Sequence, residues 1–99
     1  MMLKKKLLIL IVAYNHEKFI KGVINRINDN LAEKYDVEIL INDDFSSDKT
    51  LEITKELINS KKNKVFKYKV FSNQKNQGYG GNQKIGYAYA IKNNFDFVA

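Results

Sequence analysis

Three short stretches of this 99-residue chain gather side chains that could do chemistry. The first is Ala13-Tyr14-Asn15-His16-Glu17. The second is Asn42-Asp43-Asp44, followed by Ser46, Asp48 and Thr50. The third is Asn76-Gln77-Gly78-Tyr79-Gly80-Gly81, with Lys84 one helical turn on. Adjacent carboxylates repel, so Asp43 and Asp44 stay ionised only where cations, hydrogen-bond donors or water face them. Such a pair can accept from a base N–H or a ribose hydroxyl, roughly 1.5–3 kcal/mol for a charged hydrogen bond. It can also help hold a divalent cation through oxygen ligands. The plainer alternative makes both aspartates turn formers. Asp48 reads as the cap of the following helix.

Tyr14 offers a ring that can stack on a base, worth roughly 1–3 kcal/mol, or that can lid the helix behind it. Asn15 could cap that helix. His16 is the single histidine, which excludes a His-based metal cluster and leaves a catalytic triad without its partners. Glycines that open a helix let backbone N–H groups approach a phosphate or a sugar, and Lys84 could add a charge. The loop is not the dinucleotide fingerprint, because Gly78 and Gly80 follow the third strand and Gln83 stands where the last glycine belongs. Gly86 reads as a residue that allows close helix–sheet packing.

The elements that must position these residues follow from hydrophobic patterning. Leu7 to Ala13 is a continuous apolar run, as in a strand buried on both faces. Glu17 to Lys34 places Ile20, Val23, Ile24, Ile27 and Leu31 at helical spacing and predicts one helix. Val37 to Ile41 is the second strand, with Asp43 and Asp44 just beyond its end. Lys49 to Asn59 predicts a helix burying Leu51, Thr54, Leu57 and Ile58, and Ser60 to Lys64 a polar loop. Val65 to Phe71 predicts a third strand, whose alternating Lys67 and Lys69 mark an edge. A helix then opens at the glycine loop, with Gly81, Ile85, Ala88 and Ile91 as its expected buried face. Phe95 to Ala99 begins a fourth strand with no turn residue after it, so the chain is expected to be truncated in mid-element. The alternation βαβαβαβ implies an α/β fold, a three-layer Rossmann-like parallel sheet with right-handed crossovers and strand order 3-2-1-4. In open sheets of this kind ligands bind beyond the carboxyl ends of the strands.

Composition narrows the classes. Lys and Arg outnumber Asp and Glu by 17 to 11, a net charge of +6, which suits an anionic ligand. The lysines are scattered and no aromatic-rich RNA-binding signature interleaves them, so nucleic acid is not an expected partner. With no cysteine there is neither a disulfide nor a thiolate metal site. The start MMLKKKLLILIVAYN imitates a signal peptide. Its apolar run lacks a cleavage site and falls far short of the roughly 20 residues of a membrane span.

Taken together, the three stretches resemble the amino-terminal half of the family 2 glycosyltransferases, which have the glycosyltransferase A fold. Ala13-Tyr14-Asn15 is similar to the P-x-Y-N-E motif that ends the family's first strand. Asp43, Asp44, Ser46, Asp48 and Thr50 match D-D-x-S-x-D-x-T residue for residue. Asn76, Gly78, Gly80 and Gly86 resemble the glycine loop of the branch that includes polyprenyl-phosphate sugar transferases. The resemblance implies that Tyr14 and Asp44 contact the base of a UDP- or GDP-sugar donor, with Ala13 and Asp43 beside them. It extends the donor site to Asn15, Glu17, Gly78, Gly80 and Lys84. Ala13 departs from the usual proline, His16 takes the place of a frequent glutamate, and Phe45 replaces a common glycine. The family's metal-binding D-x-D motif and its catalytic base lie beyond the fourth strand. Mg²⁺ or Mn²⁺ is therefore expected in a longer parent rather than on these 99 residues, and no catalytic residue is expected here. Further expectations are a polyprenyl phosphate or growing glycan as acceptor, a cytoplasmic location at the inner face of the membrane, and self-association through the uncovered fourth strand. The rivals are a non-catalytic nucleotide-binding or regulatory module and a phosphate-accepting receiver domain. The latter wants its acidic pair after the first strand, where this chain has Tyr14-Asn15.

Overall fold

The computed structural model describes residues 3–61 and 64–99. Four parallel strands form one sheet in the order β3-β2-β1-β4: β1 (Lys5–Ala13), β2 (Tyr35–Asp43), β3 (Lys67–Ser72) and β4 (Phe97–Val98). This is the order that the sequence predicts. β1 and β2 pair along their whole length, from Lys5 opposite Tyr35 to Ala13 opposite Asp43, so both strands end at the same level. The polar loop expected over Ser60 to Lys64 lies partly outside the described residues, at Lys62 and Asn63.

Strand side chains alternate between faces, and the two faces carry different covers. Leu7, Ala13, Val37, Ile39 and Ile41 pack on Ile20, Ile24 and Ile58, with Phe66 closing the cluster. These come from α1 (Ile20–Asn25) and α3 (Thr50–Ser60). On the opposite face Leu8 and Leu40 pack on Ala90 of α4 (Gly78–Lys92), with Leu10, Phe71, Tyr89 and Phe95 around them. Gly86 explains how α4 comes so close, because a Cβ there would stand 2.5 Å from Leu10 Cδ2.

Three expectations need correction. The single helix over Glu17 to Lys34 is two, α1 and the short α2 (Leu31–Lys34). Asn28, Asp29 and Asn30 interrupt it: the Asn28 side chain accepts from the Asn30 N–H at 2.9 Å, offering the backbone an alternative to the helix. The buried face of α4 is Asn82, Gly86 and Ala90 rather than Gly81, Ile85, Ala88 and Ile91, and Ile91 is 79% exposed. The helix turns toward the sheet the side where small residues and a bonded amide permit close approach. Phe95 does not join an uncovered edge, since it packs into the α4-side cluster with Lys6 Nζ over its ring. Phe97 and Val98 do remain exposed.

Candidate functional site

β1 and β2 end side by side, and the loops that follow them are tied together. The Asp44 N–H donates to the Ala13 carbonyl at 2.8 Å, and the Asn73 N–H to the Asp43 carbonyl at 2.8 Å. Asn15 has φ +49° and its side-chain oxygen accepts from the Ser47 N–H, so it bridges the two loops and does not cap α1. The Asn15 N–H donates to Ser46 Oγ, and the His16 N–H to Thr50 Oγ1 at 2.7 Å. Asp48 stands one residue before the N-cap, Lys49, rather than at it, and still serves the helix start by accepting from the Thr50 N–H that opens α3. It also takes the Glu17 N–H, while the Glu17 carboxylate accepts from the Lys49 N–H. Burial pushes the Asp48 carboxyl up, but donation from Thr50 and Glu17 outweighs it and holds the group below the usual carboxylate range.

The adjacent aspartates have different tasks. Both are buried. Asp43 turns both oxygens on Ser46, taking its N–H at 3.1 Å and its hydroxyl at 2.5 Å. Asp44 reaches the other way, to the start of α4. Its Oδ1 accepts from Asn73 Nδ2 at 2.8 Å and the Gln77 N–H at 2.7 Å, and its Oδ2 from the Gly78 N–H at 3.1 Å. Burial would raise the Asp44 carboxyl, yet these donors, with Asn82 alongside, hold it below its ordinary value. A carboxylate has about four acceptor positions, and Oδ1 takes two of these donors while Oδ2 takes the Gly78 N–H. Anionic Asp44 also sits at the positive end of α4.

Asn82, a residue that the sequence reading missed, joins this corner to the sheet. Its Oδ1 accepts from Asn42 Nδ2 and Asn73 Nδ2, each at 2.8 Å, and its Nδ2 donates to the Gly78 carbonyl at 2.7 Å. An asparagine four residues into a helix and flanked by glycine is the signal that could have exposed it, since asparagine disfavours helix interiors.

A cavity of about 730 Å³ opens beyond the strand ends on the α4 side. Leu10, Val12 and Tyr14 of the first strand and its loop form one wall, and Asp44, Asn76, Gly78 and Asn82 another. Tyr79, Gln83 and Tyr87 of α4 complete it with Val98 and Ala99. Of the nine site residues that the sequence suggests, Tyr14, Asp44 and Gly78 line this cavity. Ala13 is buried with its carbonyl engaged, Asn15, Glu17 and Asp43 hold the loops, and Lys84 is exposed outside the lining. Gly78 adopts φ +71°, and at Gly80 a Cβ would meet nothing within 4 Å. Among the described residues no cluster of His, Asp or Glu could hold a metal ion. Asp43 and most of Asp44 already face protein donors, so the residues present do not fit a divalent cation on their own.

The sheet order, the crossovers and this crevice define a Rossmann-like domain of the glycosyltransferase A type. The chain belongs to glycosyl transferase family 2, whose model matches residues 8–94. Among solved structures it is similar to S. aureus TarS 1-349 in complex with UDP, with 28% identity, a TM-score of 0.63, and coverage of 86% of this chain and 24% of that one. Against S. aureus TarS the values are 28% identity and a TM-score of 0.63, covering 86% of this chain and 14% of that one. TarS 1-349 in complex with UDP-GlcNAc shares the fold at 24% identity and a TM-score of 0.65, covering 86% of this chain and 23% of that one. The chain thus spans about a quarter of the length of the TarS 1-349 chains it matches. No curated protein matches it. Among the described residues no helix is long and apolar enough to cross a membrane.

Proposed function

We propose that this chain supplies the donor-nucleotide half of a glycosyltransferase, binding a nucleoside-diphosphate sugar whose sugar passes to an acceptor held elsewhere in the enzyme. One observation carries the reading: the half-exposed Tyr14 ring and the Asp44 side chain line the same cavity beyond the strand ends. Tyr14 stacks on the base and Asp44 accepts from a base N–H. The diphosphate runs toward the open backbone at Gly78 and Gly80. A uracil nucleotide is the first candidate, supported by membership of family 2 and by similarity to a TarS structure that holds UDP. Transfer with inversion needs a base and, by resemblance, Mg²⁺ or Mn²⁺ on the leaving diphosphate. On this reading both come from elsewhere in the enzyme. A lipid-linked acceptor at the inner face of the membrane belongs to the same reading, on the resemblance of the glycine loop alone.

Stacking and one charged hydrogen bond together give on the order of 3–6 kcal/mol at best. A dissociation constant of about 1 mM corresponds to about 4.1 kcal/mol. The affinity of this half for free nucleotide is therefore weak, in the millimolar range once part of that sum is lost to ordering the ligand. Titration of the ¹⁵N-labelled chain with UDP, GDP and ATP tests this. Amide shifts at Tyr14, Asp44 and Gly80 with one diphosphate support the assignment and identify the base. A folded sample in which nothing moves at several millimolar overturns it.

A further inference from the structure

The cations of this chain are not spread evenly over the fold. In a parallel sheet all strands start at one end, and the helices that run back across it finish at that same end. α1, α2, α3 and α4 close on Arg26, Lys34, Lys61 and Lys92, where positive charge complements the helix dipole. The strands add more. Lys4 and Lys5 open β1, and Lys64 and Lys67 lead into β3. Asp29, Glu33, Asp36 and Asp96 offset part of this charge: Asp36 stands 3.6 Å from Lys67 Nζ, and Asp96 accepts from the Lys6 N–H. The side chains of Lys5 and Lys64 are exposed and pair with no carboxylate among the described residues. The opposite end carries Glu17, Asp43, Asp44 and Asp48.

Two aliphatic side chains stand among these lysines. Leu3 is 90% exposed and Val65 50%. Lys4, Lys64, Val65 and Lys67 line one cavity of about 500 Å³ with Tyr35 and Phe66, so the starts of β1, β2 and β3 form a continuous surface. Exposed aliphatics ringed by lysines suit a bilayer, whose anionic headgroups attract the cations while the acyl boundary takes the apolar side chains. Single-stranded nucleic acid calls for aromatic rings on which bases stack, and Leu3 and Val65 offer none. We propose that the amino ends of the strands form a docking face for an anionic lipid surface. The nucleotide crevice opens at the opposite ends of the same strands, so docking leaves it free. A lipid-linked acceptor then reaches the crevice only through a glycan that spans the sheet, about 30 Å for the nine residues of β1.

Cosedimentation with vesicles tests the docking face, using phosphatidylcholine alone and phosphatidylcholine mixed with phosphatidylglycerol. The chain should bind the mixed vesicles at low salt, release them as salt rises, and ignore the neutral ones. A lysine near an anionic surface strengthens partitioning roughly fivefold, so Lys5→Glu with Lys64→Glu should weaken binding by at least roughly tenfold. Leu3→Ser with Val65→Ser should weaken it severalfold. Lys18→Glu with Lys21→Glu removes the same charge at the start of α1, on the far side of the fold. That variant should bind nearly as the parent does, because its sites lie more than a Debye length from the bilayer. Equal loss in the two charge variants would show that net charge alone drives binding, and would overturn the docking face. A folded chain that stays in solution beside the mixed vesicles would overturn it too. Tighter binding to single-stranded RNA than to vesicles, untouched by Leu3→Ser with Val65→Ser, would assign the face to nucleic acid instead.

Discussion

Asn42 Nδ2 donates to Asn82 Oδ1 at 2.8 Å, joining the middle of the sheet to the second turn of α4 across forty residues of sequence. Both side chains are fully buried, and Asn42 Oδ1 has no partner among the described residues. Asn82→Leu strands Asn42 Nδ2 and leaves Asn73 Nδ2 only its bond to Asp44, and an unsatisfied buried donor costs about 1–3 kcal/mol. Asn42→Leu alone costs less, because it also removes an acceptor that nothing satisfies. Urea unfolding of the single and double variants should show the double costing less than the two singles together. Strict additivity would mean that the amides do not act as a pair.

The Asp44 carboxyl is held below its ordinary value of 3.8. A depressed folded value contributes stability that is present above the unfolded value and is lost as pH falls through the folded one. Asp44→Asn should therefore lower stability near neutral pH by roughly 1.5–3 kcal/mol, the scale of hydrogen bonds to a charged group. The gap to the parent should narrow below about pH 4. Denaturant midpoints from pH 2 to 7 check this, and a constant gap over that range would contradict it.

Gly86 allows α4 to touch β1. With its Cβ 2.5 Å from Leu10 Cδ2 and 3.1 Å from Cδ1, Gly86→Ala should destabilise the chain by about 1–3 kcal/mol, the usual effect of overpacking. Adding Leu10→Ala removes both clashing atoms and should recover part of the loss. No recovery would show that the strain lies in the backbone.

The Tyr89 hydroxyl donates to Glu38. Burial, then that hydrogen bond and the Glu38 charge, push its ionisation up to about 12. Burial and the Asp29 charge also raise Tyr68. A raised folded value contributes stability that is complete below the unfolded value near 10 and is lost as pH climbs toward 12. Ultraviolet titration should show a late phase of tyrosine ionisation, with its latest part absent from Tyr89→Phe. If Tyr89→Phe leaves the late phase whole, Tyr89 is not its source.

Much of this arrangement is written in the local pattern. The apolar runs at Leu7 to Ala13 and Val37 to Ile41, the edge lysines Lys67 and Lys69, and the alternation of strands with helices determine the sheet and its order. Burial acts on side chains at fixed spacing, and spacing is visible in one dimension. Asp48 and Gly86 were legible for the same reason, since support of a helix start and a close packing position depend on near neighbours and residue size. The division of labour between Asp43 and Asp44, the hub at Asn82 and the small-residue face of α4 were not legible. A buried polar group takes its role from its partners, and those partners come from strands and loops tens of residues away. Only the folded chain brings Asn42, Asn73 and Asn82 together and turns Asp44 toward α4 while Asp43 closes its own turn.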